Sequence, residues 1–177
     1  MNEQIGTSML DGTDFVARLH AVEERLDAHA AAATPSALTD PDPGGTERWE
    51  AGQVWSHMGE FVAYWHGQVE SVIAAYDGDP VPFGRTKEDP ARIAGIEMGR
   101  HEAMRQMRGR VGDEIAELKR YLATLTSAEW NAVGEHPTRG SMDVEAIVGT
   151  FVVNHLEEHA DQLDKLAEAS EASEAGS

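Results

Sequence analysis

The chain has no cysteine, and that absence excludes a disulfide framework, a thiolate metal ligand and a thiol nucleophile together. Any sulfur chemistry at this protein has to use a thiol supplied from outside. Positive charge is also scarce. Against 32 Asp and Glu stand 14 Lys and Arg, a formal net charge of −18, whereas nucleic acids and anionic membrane surfaces are bound through clustered cations that release counterions. Neither nucleic acid nor a membrane is therefore expected as a partner. The cations present are concentrated in one segment that includes Arg85, Lys87, Arg92, Arg100, Arg105, Arg108, Arg110, Lys119 and Arg120, which reads as a solvated helix face pairing with acidic neighbours. Long apolar runs are missing too. Nothing approaches the length of a membrane span, and Met1-Asn2-Glu3-Gln4-Ile5-Gly6 lacks the basic and apolar regions of a signal peptide. A soluble, cytoplasmic protein is the expectation.

What is present is helical periodicity. At 177 residues the chain suits one domain with a sizeable core. Residues 1–12 are small and polar and read as a flexible lead-in. Thr13 or Asp14 can cap a first helix whose stripe runs Phe15, Val16, Leu19, Val22 and Leu26 and ends near Ala33. Three prolines and two glycines between Thr34 and Gly45 force a connection. A second helix begins between Thr46 and Glu50 and carries Trp49, Val54, Trp55, Met58, Phe61, Val62, Trp65, Val69 and Val72 inward. After the break at Asp77–Gly84, Pro90 opens one long third helix, with Ile93, Ile96, Met104, Met107, Val111, Ile115, Leu118, Leu122 and Leu125 on its stripe. Gly95, Gly99, Gly109 and Gly112 allow it to bend or to be approached closely. A loop over residues 126–140 leads to a fourth helix that Ser141 can cap, with Asp143 and Glu145 favouring its first turn. Beyond Glu168 no large apolar residue remains, so 169–177 reads as a disordered acidic tail. Four long amphipathic segments without a convincing strand predict an all-α four-helix bundle with long crossover connections, occupying residues 13–168.

The eight histidines carry the chemical interest. His155 and His159, at i and i+4, share one face of the fourth helix, and that face is the apolar one of Val144, Ile147, Val148, Phe151, Val152, Leu156, Leu163 and Leu166. They are either core histidines with hydrogen-bond partners or rings converging on something bound. His57 sits at the edge of the second helix's stripe and can point to the bundle axis. His66, nine residues on and half a turn round, cannot share that site and reads as structural or exposed. His20 and His29 read as surface or boundary residues, His136 as solvent-facing, and His101 competes with His57 for a metal role on spacing. His155-Leu156-Glu157-Glu158-His159 also matches the His-x-x-Glu-His string of inverted zinc proteases, in which Glu158 would be the general base. That reading needs a third ligand well downstream and strands to hold a peptide, and neither is apparent.

Two segments resemble a known family. Trp49-Glu50-Ala51-Gly52-Gln53-Val54-Trp55-Ser56-His57-Met58 resembles the Trp-to-His signature of helix two in the DinB-like superfamily of metal-binding four-helix bundles (DinB/YfiT), which includes the mycothiol-dependent maleylpyruvate isomerases. His155-Leu156-Glu157-Glu158-His159-Ala160-Asp161-Gln162-Leu163 resembles its helix-four ligand segment. The resemblance implies His57, His155 and His159 as ligands of one divalent metal, zinc or nickel, with no catalytic residue separate from that site. It further implies a low-molecular-weight thiol such as mycothiol or bacillithiol as co-substrate, and a homodimer. The sequence departs from the family pattern at Glu50, where relatives often cap the helix with Ser or Thr, and some members carry Glu in place of His155. Three neutral imidazoles leave a divalent ion its full charge and an open position, and a thiol bound beside such an ion loses its proton. A metal-dependent thiol S-transferase or isomerase acting on an electrophilic small molecule is the implied function, with Glu158 or Asn154 available to orient a ligand. The alternative is a non-catalytic metal-binding sensor or stress-associated protein.

Overall fold

The apolar stripes of the long segments close on one another in the computed structural model, which describes residues 12–41 and 46–175. Helix α1 (Gly12–Ala31) buries Phe15, Leu19, Val22 and Leu26. Helix α2 (Ala51–Ala75) is central, with every residue from Ala51 to Gly59 buried. The third corner is built by α3 (Pro90–Gly99) and α4 (Met104–Leu122), and the fourth by α7 (Asn154–Ala175). Helix α1 packs on α4 and α7, and α2 packs on α3, α4 and α7. The first two helices thus stand at opposite corners, and the long 32–50 connection crosses between them. Thr39 pins that connection: its backbone N–H donates to the Trp49 carbonyl at 2.8 Å, and its Oγ1 accepts from the Trp49 N–H at 2.9 Å.

Several boundaries differ from the sequence expectation. Helix α2 starts at Ala51, after Glu50. The Glu50 N–H donates to Gln53 Oε1 at 3.1 Å, and the Glu50 carboxylate is held by Arg100, so the Gln53 side chain satisfies the N–H that precedes the helix. The third helix is two helices, broken at Arg100–Ala103. There the backbone crosses α2 so closely that a Cβ on Gly52 would run into the Arg100 carbonyl oxygen, and one on Gly99 into Ser56 Oγ. Close approach, not helix propensity, decides the break.

A small three-stranded sheet was not expected. Strands β1 (Val81–Pro82), β2 (Val133–His136) and β3 (Gly140–Asp143) lie in that order, with β1 parallel and β3 antiparallel to β2. Strands this short show no readable alternation. Gly140, at φ 75°, makes the turn into β3, and one short helix, α5 (Ser127–Trp130), precedes β2. Ser141 lies inside β3. The cap is Asp143, whose Oδ1 accepts from the Ala146 N–H at 2.7 Å to open α6 (Val144–Val148). A π-helical turn (Gly149–Val153) joins α6 to α7. Helix α7 continues through Ala175 instead of giving way to a disordered tail at 169, and Ser170 Oγ accepts from the N–H groups of Ser36 and Ala37 at 3.1 and 3.4 Å. The expected lead-in at residues 1–12 falls almost wholly outside the described residues. Among the described residues, no helix is long and apolar enough to cross a membrane.

Candidate metal centre

Two helices bring three imidazoles together. His57 comes from the second turn of α2, and its ring is 3 % exposed. His155 and His159 come from the first turns of α7. Just upstream, the π turn closes with the Asn154 N–H on the Gly149 carbonyl. One residue more per turn shifts the register of everything after it.

His155 Nε2 lies 3.1 Å from His57 Nε2 and 3.1 Å from His159 Nε2, although His57 and His155 are 98 positions apart. Donor atoms of all three residues fall within 4.8 Å of one another. A ring nitrogen offers one lone pair or one N–H. His155 Nε2 therefore satisfies at most one of its two neighbours by hydrogen bonding, so an internally satisfied histidine cluster does not account for this arrangement. Nitrogens about 2.05 Å from a common tetrahedral ion are about 3.3 Å apart, close to the spacing seen.

The environment keeps these lone pairs available. Burial, reinforced by the neighbouring His159 and His155 and then by Arg92 and Arg85, holds His57 far below the ordinary imidazole range. Burial and then Arg92 lower His155 from 6.5 to about 4. Both are neutral at pH 7. Trp49 meets His57 edge-on at 5.3 Å and lies parallel to His159 at 6.5 Å, while the Phe61 ring centre is 4.6 Å from that of His155. These rings pack against the imidazoles.

Each ligand candidate has an oxygen-bearing side chain three residues further along its helix. Glu158 Oε2 is 3.2 Å from His155 Nδ1, Gln162 Oε1 is 2.8 Å from His159 Nδ1, and Glu60 Oε2 is 3.8 Å from His57 Nδ1. The hydrogen bonds of Glu158 and Gln162 fix the tautomers of His155 and His159 that present Nε2. Glu60 is in turn gripped by Arg85 at 2.6 Å, and His57 Nδ1 is left buried without a hydrogen bond. Sequence reasoning named Glu158 and missed Glu60 and Gln162, although the repeated i, i+3 spacing from histidine to Glu or Gln was there to be read. Asn154 is committed elsewhere: its Oδ1 accepts from Arg18 at 2.6 Å, beside the Arg18–Glu157 pair.

The remaining histidines are dispersed. His66 is buried against Tyr121 at 5.0 Å, away from the cluster, and His29 pairs with Asp164 at 2.6 Å. His20 is exposed beside Glu23, and His101 is exposed in the α3–α4 break. His136, expected to face solvent, is 4 % exposed instead. As part of β2 it turns inward and stacks on Phe151 at 5.0 Å, and burial lowers its pKa.

Two cavities meet at His57 and His155. One, of about 420 Å³, is lined by Trp49, Gln53, Ile93, Ile96, His159 and Gln162; the other, of about 710 Å³, by Phe61, Arg85, Lys87, His136, Arg139 and Phe151. The site therefore has room beside it on two sides.

Comparison with known proteins agrees with this architecture. Among solved structures, YfiT from Bacillus subtilis, described as a probable metal-dependent hydrolase with an unusual four-helix bundle topology, superposes with a TM-score of 0.72 at 18% identity, over 96% of this chain and 93% of that one. The mycothiol-dependent maleylpyruvate isomerase superposes with a TM-score of 0.63 at 12% identity over 87% of this chain. The match spans 61% of that isomerase. The colibactin self-resistance protein ClbS, solved in complex with double-stranded DNA, gives 0.56 at 12% identity, over 89% of this chain and 95% of that one. At these identities the likeness is one of fold. No functionally curated protein matches the sequence. The family model of the DinB superfamily matches residues 18–163, and the chain belongs to that superfamily.

Proposed function

We propose that His57, His155 and His159 hold one divalent metal ion, zinc or nickel, and that the protein uses it to transfer a low-molecular-weight thiol, of the mycothiol or bacillithiol kind, to an electrophilic small molecule. The observation that carries this reading is the convergence of three Nε2 atoms that cannot satisfy one another. When bound, such an ion supplies Lewis acidity that turns a thiol into a thiolate at neutral pH. The chain's own residues present neutral Nε2 atoms, fix the tautomers of His155 and His159 through Glu158 and Gln162, and pack Trp49 and Phe61 against the rings. The absence of cysteine fits a thiol brought from outside.

The two adjoining cavities favour an enzyme over a non-catalytic sensor, which has no need of space beside its ion. The protease reading loses its base, because the Glu158 carboxylate sits at His155 Nδ1, the edge of the ring opposite Nε2. A net charge of −18 weighs against a DNA ligand. The test has two parts. Elemental analysis of protein purified without an affinity tag should give about one divalent metal per chain, lost in His57→Ala. The metal-loaded protein should then conjugate thiols to electrophiles above background, and release of hydrolysis products without any thiol would assign the site to water-dependent chemistry instead.

A further inference from the structure

The larger cavity has a chemistry of its own. In this strongly acidic chain, Arg18, Arg25, Arg48, Arg85, Arg100, Arg108, Arg110 and Lys119 each have a carboxylate oxygen within ion-pair distance among the described residues. Lys87, Arg105, Arg120, Arg139 and Lys165 show no ion pair among the described residues; of these, Lys87 and Arg139 line the larger cavity, Lys87 lining the smaller one as well. An exposed Arg without a carboxylate partner keeps its guanidinium donors open to an anion. Arg139 is also placed. Its guanidinium carbon lies 5.4 Å from the Phe151 ring centre, and that ring is stacked on Trp65 at 4.2 Å and on His136 at 5.0 Å. The result is a stack of aromatic rings with a cation over one of them, and the His57 and His155 rings line the same cavity. Glu88 and Glu158 also line it. Glu158 is engaged with His155, and Glu88 belongs to the exposed segment that carries Lys87.

We propose that this cavity is the subsite for a carboxylate-bearing co-reactant, the carboxylate held by Arg139 and Lys87 and a planar or apolar body lying along Phe151. It rests on the metal-centred reading only for what happens at the histidines; the binding itself needs no metal. The carboxylate can belong to the electrophile or to the thiol. Calorimetric titration of the metal-free, full-length protein with trans-cinnamate and, separately, with mercaptosuccinate distinguishes the two sources. At least one of them should bind saturably, and Arg139→Gln should weaken that ligand about tenfold or more. Lys165→Gln, which removes the same charge from the exposed face of α7, should change it less than about twofold. Sensitivity to Arg139 for cinnamate alone assigns the subsite to the electrophile, and for mercaptosuccinate alone to the thiol. The proposal is overturned if neither ligand binds, if methyl cinnamate binds as tightly as the only acid retained, or if the two charge variants weaken binding equally. Metal content is read separately on the wild-type protein: metal bound with neither acid taken up overturns this subsite alone, and an acid bound with no metal held overturns the metal reading alone.

Discussion

Replacing His57 with leucine sets the metal reading against the possibility that the histidines are ordinary core residues. His57 is 3 % exposed, and its Nδ1 is buried with no hydrogen-bond partner. Leaving such a group desolvated costs about 1–3 kcal/mol. The contact of its Nε2 with His155 at 3.1 Å returns at most about 0.5–1.5 kcal/mol. A leucine of similar volume removes the penalty and adds apolar burial beside Phe61 and Trp49. The metal-free variant is therefore expected to be between equally stable and about 2 kcal/mol more stable than wild type. For a chain of this size that is a rise of up to about 8 °C in Tm. With zinc the order reverses. Wild type at a hundredfold excess over Kd gains about 2.7 kcal/mol, or about 5–11 °C, and the variant gains almost nothing. Thermal melts of chelator-treated protein, with and without added zinc, measure both shifts. A metal-free His57→Leu protein melting more than about 5 °C below wild type would refute the reasoning, because His57 would then be a residue the apo core needs. Equal zinc shifts in the two proteins would refute it as well.

Three further outcomes are expected. Gln162→Leu removes the partner of His159 Nδ1 and should lower zinc affinity about 10–100-fold with little change in the metal-free melt, as read by competition with a chromogenic chelator. Because burial lowers His155 from 6.5 to about 4, the unfolded chain binds its proton at higher pH than the folded one. Metal-free stability should thus be fully present above pH 6.5, fall progressively toward pH 4, and fall less in His155→Gln; urea midpoints at fixed pH steps check this. Gly52→Ala would press a Cβ into the Arg100 carbonyl oxygen. Backbone cannot give way as a side chain tip can, so a loss of about 2 kcal/mol or more is expected in urea unfolding, whereas Gly109→Ala inside α4, where nothing lies within 4 Å, should be neutral to about 1 kcal/mol stabilising.

The helical type of the long segments was legible in the sequence because each helix writes its buried face at a 3.6-residue period, and the four stripes fall on helices, the third of them shared by α3 and α4. His155 and His159 were legible for the same reason, as they interrupt an apolar stripe. Features set by contacts between distant segments were not. The break at Arg100–Ala103 exists because α2 passes within touching distance at Gly52, and Gly52 alone gives no hint of what approaches it. The three short strands exist only as a set, since two to four residues bury too little to announce themselves. His136 looked like a loop residue and is buried because β2 faces the aromatic wall of Trp65 and Phe151.

By itself the sequence determined a strongly acidic, cysteine-free helical bundle carrying histidines where leucine or valine would otherwise be. Only the tertiary structure decided that His57 meets His155 across 98 positions, that Glu158 and Gln162 orient the rings of His155 and His159, and that two cavities open beside them. Local patterning is set by how one segment buries its own apolar face. A site is set by the distances between segments, and those follow from how the whole set of faces packs.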